Sequence, residues 1–509
     1  MITQNSNDIS LGNSPLTDIP DWDSTLFSAL SGTTFTVVTF GCQMNKHDSE
    51  RIVGMLSALG SQQVSSIEES DIIIYVTCCV REAADVRLFG QVSSLKNIPL
   101  REDSPLSKRV VVIGGCIGQR DGEKLTTQLP HVDVVFGTFN LASMPKLINE
   151  AILNGGHHVE VLSEASTFPT DLPSQRESRW SAWLPISIGC NNFCTYCIVP
   201  YVRGREKSRP LEDILKDARK LIDEGVKEIT LLGQNVNSYG RDLYGKPEFA
   251  KLLYSIADTG IERLRFATSH PKDLNDEVIK AFGELNNLMP ALHLPVQSGS
   301  NAILKAMNRR YTREHYLEII DKLRSARPDI ALSTDVIVGF PGESEEEFEK
   351  TYEFIKKVGY TQLHVFPYSM RKGTPAARMV QVDEKIKHER VNRLIALSHE
   401  LNENYAKYAE LKEYLDILQD GNMSIINEFI TLFEDYCNYL KAQYDNICAN
   451  NEKNNDAYEK ASADLTEANQ ILVAFVEYEN AEKILAQCKE QKEAIAEKES
   501  LLNKINDAY

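Results

Sequence analysis

Apolar positions along the chain come in short runs separated by amphipathic stretches, and the runs change character twice. Thr34 to Phe40 is β-branched and aromatic and predicts a strand. A helix from about Lys46 to Leu59 follows, with Ile52, Met55, Leu56 and Leu59 on one face. Asp71 to Thr77 is almost continuously apolar, the pattern of a strand buried on both faces. Arg109 to Ile113 and Val132 to Phe136 predict a third and a fourth strand, the last followed by a helix to about Leu153. Repeated strand–helix units predict a parallel, doubly wound sheet. Residues 155–180, rich in Ser, Thr, Pro and charge, read as a linker. A second series then begins, with strands at Trp183–Ile188, Glu228–Leu232, Arg263–Thr268, Ala291–Leu294, Ile330–Val338 and Gln362–Phe366. Helical patterns such as Leu211–Glu224 and Glu345–Val358 separate them. Six such units fall short of a closed eight-fold barrel and predict a partial (β/α)6 barrel, open on one side to a large substrate.

From about Asp383 the pattern is helical throughout. Residues 401–509 hold one glycine and no proline. Ala481, Leu485, Cys488, Lys492, Ile495, Glu499 and Leu502 follow a four-three spacing, but Lys492 and Glu499 interrupt the seam, so amphipathic hairpin helices are expected. The expected organisation is α/β: a flexible extension over 1–32, an α/β domain over 33–154, the linker, a barrel over 181–405 and an all-helical tail over 406–509.

Composition adds three constraints. No apolar run approaches the length of a membrane span. Residues 1–45 contain no Lys or Arg, which argues against a signal or transit peptide. Ten cysteines in a chain of 509 residues do not make a secreted disulfide framework, and they fit a reducing compartment, hence a cytoplasmic location. The net charge is −18, and residues 401–509 alone, with 10 Lys and 22 Asp plus Glu, contribute −12. A polyanionic partner would be repelled by the tail and would need local basic patches on the body.

The sharpest chemical signal is Gly189-Cys190-Asn191-Asn192-Phe193-Cys194-Thr195-Tyr196-Cys197. Three thiolates in a Cys-x3-Cys-x2-Cys loop can hold three irons of a cubane cluster. The missing fourth thiolate leaves one iron open to a small molecule, whereas a structural zinc site would want four ligands. The spacing resembles the signature of radical S-adenosylmethionine (SAM) enzymes. Cys42, Cys78 and Cys116 each follow a predicted strand, and strand ends in open α/β sheets converge on one crevice. They form a second three-thiolate candidate, set against the plain reading of small buried hydrophobes. Of the neighbours Cys78 and Cys79, Cys78 is taken as the ligand and Cys79 as pointing elsewhere. Cys437, Cys448 and Cys488 show no ligand spacing and read as plain thiols.

Several barrel strand ends carry polar residues suited to a cofactor: Gln234 and Asn235, Thr268-Ser269-His270, His293, Gln297-Ser298-Gly299-Ser300, and Gly339 to Glu343. A lone His270 or His293 is more often a structural hydrogen-bonder than a base or ligand. Cations interleave with aromatics in three places: Tyr201, Arg203, Arg205, Lys207 and Arg209; Arg309, Arg310 and Tyr311; Tyr368, Arg371 and Lys372. That mixture suits phosphate contact with base stacking, as on exposed RNA loops, or an ordinary solvated surface.

Taken together, these motifs resemble the methylthiotransferases, and within them the synthases of 2-methylthio-N6-dimethylallyladenosine in tRNA. The matching residues are Phe40-Gly41-Cys42-Gln43-Met44-Asn45, Thr77-Cys78-Cys79-Val80-Arg81-Glu82, Gly114-Gly115-Cys116, the central loop with Ile198 to Gly204, Leu232 to Gly240, and His293 to Ser300, over roughly Thr34 to Tyr405. The resemblance implies that Cys190, Cys194 and Cys197 hold a 4Fe–4S cluster that cleaves SAM. It implies that Cys42, Cys78 and Cys116 hold an auxiliary 4Fe–4S cluster carrying the sulfur to be donated, and that Gln234, Asn235 and Gln297 bind cofactor. One SAM would methylate that sulfur. A second would supply the radical that takes hydrogen from carbon 2 of the isopentenylated adenosine beside the anticodon. The implied partners are the tRNA anticodon stem-loop, an electron donor such as flavodoxin or ferredoxin, and a sulfur donor, with no membrane. Methylthiolation of another modified adenosine or of a ribosomal protein, and a non-catalytic iron–sulfur protein, are the alternatives.

The chain departs from the family pattern twice. Val76 stands where the family usually has Asn, a change expected to tune only the surroundings of the ligands. The family's usual C-terminal β-barrel (TRAM) domain, which grips tRNA, has no counterpart in the pattern after Tyr405. The acidic helical tail there reads as a module for a helical partner, a replacement, or a fused foreign sequence.

Overall fold

The computed structural model describes residues 24–80, 82–164 and 172–419. The strands are β1 (Thr34–Thr39), β2 (Gln62–Gln63), β3 (Ile72–Thr77), β4 (Val110–Gly115), β5 (Val134–Phe136), β6 (His158–Glu160), β7 (Ser181–Pro185), β8 (Ser187–Ile188), β9 (Lys207–Ser208), β10 (Glu228–Leu232), β11 (Arg263–Phe266), β12 (Ala291–His293), β13 (Ala331–Val338) and β14 (Gln362–Pro367).

The first six form one sheet in the order β2-β1-β3-β4-β5-β6, every pair parallel. Along β3, Ile72, Ile74 and Val76 join one apolar cluster, while Ile73 and Tyr75 join another on the opposite face. Helices cover both faces, so the nearly continuous apolar run of β3 is the expected consequence. Val76 lies in the first of these clusters, so its side chain packs in the core. Because β2 lies outside β1, the chain reverses direction of winding between β1 and β3, and the crevice beyond their carboxyl ends is the natural site of a doubly wound sheet.

The later strands form two parallel groups, β7-β10-β11 and β12-β13-β14, joined by a parallel bridge between Leu264 and Leu288. Six parallel strands in chain order, backed by helices around one large apolar cluster, make the expected partial barrel. Two strands are shorter than their sequence pattern. Thr268 has φ of +64°, which breaks an extended ladder after Phe266, and Pro295 offers no N–H to carry β12 further.

Two expectations are corrected. The extension expected to be loose over 1–32 ends in a helix, Ser24–Leu30, whose Leu26 and Leu30 are buried in the core. The segment read as linker opens with β6, which pairs with β5; as a short polar edge strand it carries no apolar alternation to reveal it. Strand β2 is likewise short and polar. The described residues up to Asn402 form one compact unit, and a second begins at Glu403. A helix runs over Glu384–Gln419, and the further tail, with its seam at 481–502 and Cys437, Cys448 and Cys488, lies outside the described residues. No helix among the described residues is long and apolar enough to cross a membrane.

Leu394 and Leu397 of that helix enter the barrel core, and Arg390 makes a buried ion pair with Glu343 at 2.8 Å. Burial outweighs the Gly339 N–H and the Arg390 cation and pushes the Glu343 carboxyl up to about 7. The folded chain therefore holds a proton there that the unfolded chain releases near 4.5, and stability falls as pH rises through that window. Glu343→Gln is expected to remove up to about 3 kcal/mol of this slope. Denaturant unfolding of both proteins at pH 5 and pH 7 checks it; parallel pH dependence would rule the assignment out.

Candidate active site

Cys42 caps the helix Gln43–Ala58 after β1, Cys78 follows β3, and Cys116 opens the helix Cys116–Asp121 after β4. The three loops meet because glycines let their backbones touch. A Cβ on Gly41 (φ +115°) would lie 2.3 Å from Cys78 Cβ and 3.0 Å from its Sγ. One on Gly115 (φ +83°) would lie 2.8 Å from the Thr77 carbonyl oxygen. The Val80 N–H points at Cys78 Sγ at 3.4 Å, the kind of donor that stabilises a metal-bound thiolate. Cys42 is exposed, and Cys78 and Cys116 are buried. Cys79 does not simply point away as expected. Its side chain sits in the apolar cluster under the sheet, and its thiol hydrogen-bonds that of Cys116. This bond, helped by Arg203, lowers the Cys116 thiol below its ordinary range and favours its thiolate.

Arg203 comes from the barrel half and is buried at this edge. It donates to Asn45 Oδ1 at 2.7 Å, stands 3.4 Å from Asp48 Oδ2, and its charge acts on both Cys42 and Cys116. The sheet edge and the barrel mouth therefore share one cation. A second strap lies nearby: Arg371 pairs with Asp85 at 2.9 Å and donates to the Val80 carbonyl.

The central cysteine loop springs from the ribbon of β8 and β9, where Ser187 faces Ser208 and Ile188 faces Lys207. Gly189 has φ of +74°, and a Cβ there would lie 2.1 Å from the Arg205 carbonyl oxygen, so backbone walls the loop in. Phe193, inside the loop, also has positive φ, and Asn308 holds its carbonyl at 3.0 Å. The Thr195 N–H bonds to Met307 O, and the Ala376 N–H bonds to Thr195 O. Cys190, Cys194 and Cys197 act on one another electrostatically. Burial pushes Cys190 up to about 11 and raises Cys197 as well, so metal binding must displace protons. Arg309 is buried beside this trio: it donates toward Cys194 Sγ at 3.6 Å, to Pro295 O at 2.8 Å and to Tyr311 Oη at 3.0 Å. Each cysteine trio thus has one buried arginine.

At the strand ends above the barrel, Asn235 and Gln297 are buried and Gln234 is partly exposed. Asn235 Nδ2 donates to Asp273, while its Oδ1 has no partner among the described residues; Ser187 Oγ, Asn237 Nδ2 and Ser269 Oγ are in the same position. Buried polar atoms left open around one crevice mark a site built for a polar ligand. Gln297 has φ of +69°, close in value to Thr268, and such strain gathers at functional sites. His270 is a neutral cap: its Nδ1 accepts from the Lys272 N–H at 3.2 Å, and burial and Arg309 lower its pKa well below the usual range.

The basic groups read as RNA contacts divide into two sets. Arg203, Arg209, Arg309, Tyr311 and Arg371 are buried and serve internal ion pairs and hydrogen bonds, and Tyr368 is buried against Phe340 and the Lys387 ammonium. Tyr201, Arg205, Lys207, Arg310 and Lys372 remain exposed. Arg205 lies over the Phe193 ring at 4.3 Å, and Tyr201 meets the same ring edge-on. Sequence gave no sign of the division, because a cation's burial depends on a partner far along the chain.

A family model described as the radical SAM superfamily matches residues 184–355, and one described as an uncharacterized protein family, UPF0004, matches residues 34–137. The chain is 47% identical over 392 residues to the tRNA-2-methylthio-N(6)-dimethylallyladenosine synthase of Thermoanaerobacter sp., covering 76% of this chain and 82% of that one. It is 46% identical over 386 residues to the protein of the same name from Acidothermus cellulolyticus, covering 75% and 77%. It is also similar to the solved radical S-adenosylmethionine methyltransferase TsrM of Kitasatospora setae, with TM-score 0.48 and 12% identity over 68% of this chain and 74% of that one.

The cysteine loop, the arc of six parallel strands and the first match define a radical SAM enzyme, whose cofactors are SAM and 4Fe–4S clusters. More narrowly, the chain belongs to the tRNA-2-methylthio-N(6)-dimethylallyladenosine synthase family.

Proposed function

We propose that this chain is a methylthiotransferase that converts N6-isopentenyladenosine, next to the anticodon of tRNA, to its 2-methylthio derivative. The observation that supports this reading is the presence of two cysteine trios within one compact unit, with Arg203 of the barrel half reaching the sheet edge beside Cys116. Cys190, Cys194 and Cys197 would hold the cluster that binds SAM, and Cys42, Cys78 and Cys116 the auxiliary one. When bound, the two clusters supply the electron that cleaves SAM and the sulfur that is transferred. Three thiols per trio, with buried walls and an adjacent cation, fit such groups. Asn235, Gln297 and Gln234 would orient SAM at the strand ends, the open Asn235 Oδ1 serving as an acceptor. Arg309 and Arg203 would balance the charge of the thiolates.

The exposed Tyr201, Arg205 and Lys207 beside the loop would meet the anticodon stem-loop by stacking and phosphate contact. An electron donor of the flavodoxin or ferredoxin class and a sulfur donor complete the reaction, in the cytoplasm. The two halves of this site would be the sheet, taken with the helix Ser24–Leu30 and β6, and the barrel, and the tail over 406–509 is left for a helical partner.

The ligand choice at the sheet edge is testable. Cys78→Ala is expected to remove about half of the iron and sulfide, whereas Cys79→Ala leaves both near the wild-type amount. The reverse result would exchange the two assignments.

Mass spectrometry of tRNA nucleosides tests the whole reading. Anaerobically reconstituted protein, with both clusters verified, is incubated with SAM, a reductant and tRNA bearing isopentenyladenosine. The 2-methylthio nucleoside is expected. SAM cleavage without that product would overturn the substrate assignment, and no cleavage would overturn the enzyme assignment.

A further inference from the structure

Three neighbouring barrel strands bring together side chains that neither cysteine trio uses. His293 of β12, Asp335 of β13 and His364 of β14 place their ligating atoms within 4.8 Å of one another. The parallel register explains the meeting. His293 pairs with Ser333, and Asp335 pairs with His364. Strand alternation puts Ser333 and Asp335 on one face of β13 and sends Leu332, Thr334 and Val336 to the buried face. His293 Nδ1 lies 2.9 Å from Ser333 Oγ, which turns Nε2 toward Asp335 Oδ1 at 3.4 Å. That separation is longer than a charge-assisted hydrogen bond, so the two groups converge without closing on each other. The His293 and His364 rings stand edge to face with centroids 5.6 Å apart. All three residues keep partial access to solvent.

We infer that His293, Asp335 and His364 form a binding site for one divalent first-row transition-metal ion. Two imidazoles and one carboxylate are a donor set for zinc or ferrous iron, and they leave coordination positions open. Ser333 on the non-ligating nitrogen of His293 is the kind of support such ligands carry, fixing tautomer and ring direction. The site adjoins the strand-end crevice, because the Gln297 N–H bonds to the Asp335 carbonyl at 2.9 Å.

The test uses the full chain, anaerobically reconstituted and washed with chelator, with zinc chloride as the probe. After gel filtration, elemental analysis is expected to find one zinc per chain with cluster iron and sulfide unchanged. X-ray absorption at the zinc edge is expected to show nitrogen and oxygen neighbours and no sulfur. His293→Ala combined with His364→Ala should abolish zinc retention. Ser333→Ala leaves all three ligands in place and should weaken zinc binding ~10- to 100-fold, which serves if the ligand variants lose their clusters. No zinc on the wild type, equal zinc on the variants, or sulfur in the first shell would each overturn the site.

Discussion

Replacing Cys190, Cys194 and Cys197 together by Ala is expected to remove about four irons and four sulfides per chain and to reduce SAM cleavage to background. The three thiols sit on one walled loop. Gly189 admits no Cβ, Asn308 holds the Phe193 carbonyl, and Thr195 is bonded to Met307 and Ala376. A loop tied at so many points keeps its shape when thiols become methyls, so the loss should be of the metal site and not of the fold. The measurements are iron and sulfide analysis with chromatography of 5′-deoxyadenosine. Retention of a full complement of iron would show that this loop is not a cluster site. The auxiliary trio should keep its own iron, since it is built on a separate sheet edge.

Arg203→Met should be the most damaging single change at the junction. Asp48 is drawn in opposite directions: burial raises its carboxyl, and Arg203 lowers it. Removing the cation leaves the partly buried Asp48 carboxylate and the buried Asn45 Oδ1 without their partner, a loss of about 1–3 kcal/mol. Lysine would keep the charge but lose the fork that reaches Asn45 and Asp48 together, so Arg203→Lys should fall between the two. Denaturant unfolding of the three proteins, with iron analysis, reads this out. Combining Arg203→Met with Asp48→Asn should recover part of the loss, because both ends of the pair are then neutral. A methionine variant within about 0.5 kcal/mol of wild type would mean the pair does not matter.

How far the chain could be read from its residues differs by element. Strands β1, β3, β4 and β5 and all six barrel strands declared themselves through apolar or β-branched runs, and helix Glu345–Val358 through its apolar face. The positions of the six candidate cysteines were legible for two reasons: three share a short spacing on one loop, and three share a position just past a strand. Strands β2 and β6 were not legible, since short polar edge strands carry no alternation. Arg203 and Arg309 stood in plain view in their motifs, yet they looked like surface cations. Their burial is decided by Asn45, Asp48 and Pro295, which are far along the chain from Arg203 or reached only through a fold-back of the barrel. His293 read as a lone histidine because Asp335 and His364 reach it only through strand register.

Local chemistry was therefore determined by sequence alone: which segments are strands, where thiols fall on loops, and that three of them share one short spacing. Spacing and periodicity are properties of near neighbours, and near neighbours are what a sequence displays. The tertiary structure alone decided which cations are counter-charges and which are surface, how Gly41 and Gly115 let three loops touch, and which carboxylate meets which histidine. Those outcomes depend on desolvation and on register between strands many residues apart, and no local pattern records either.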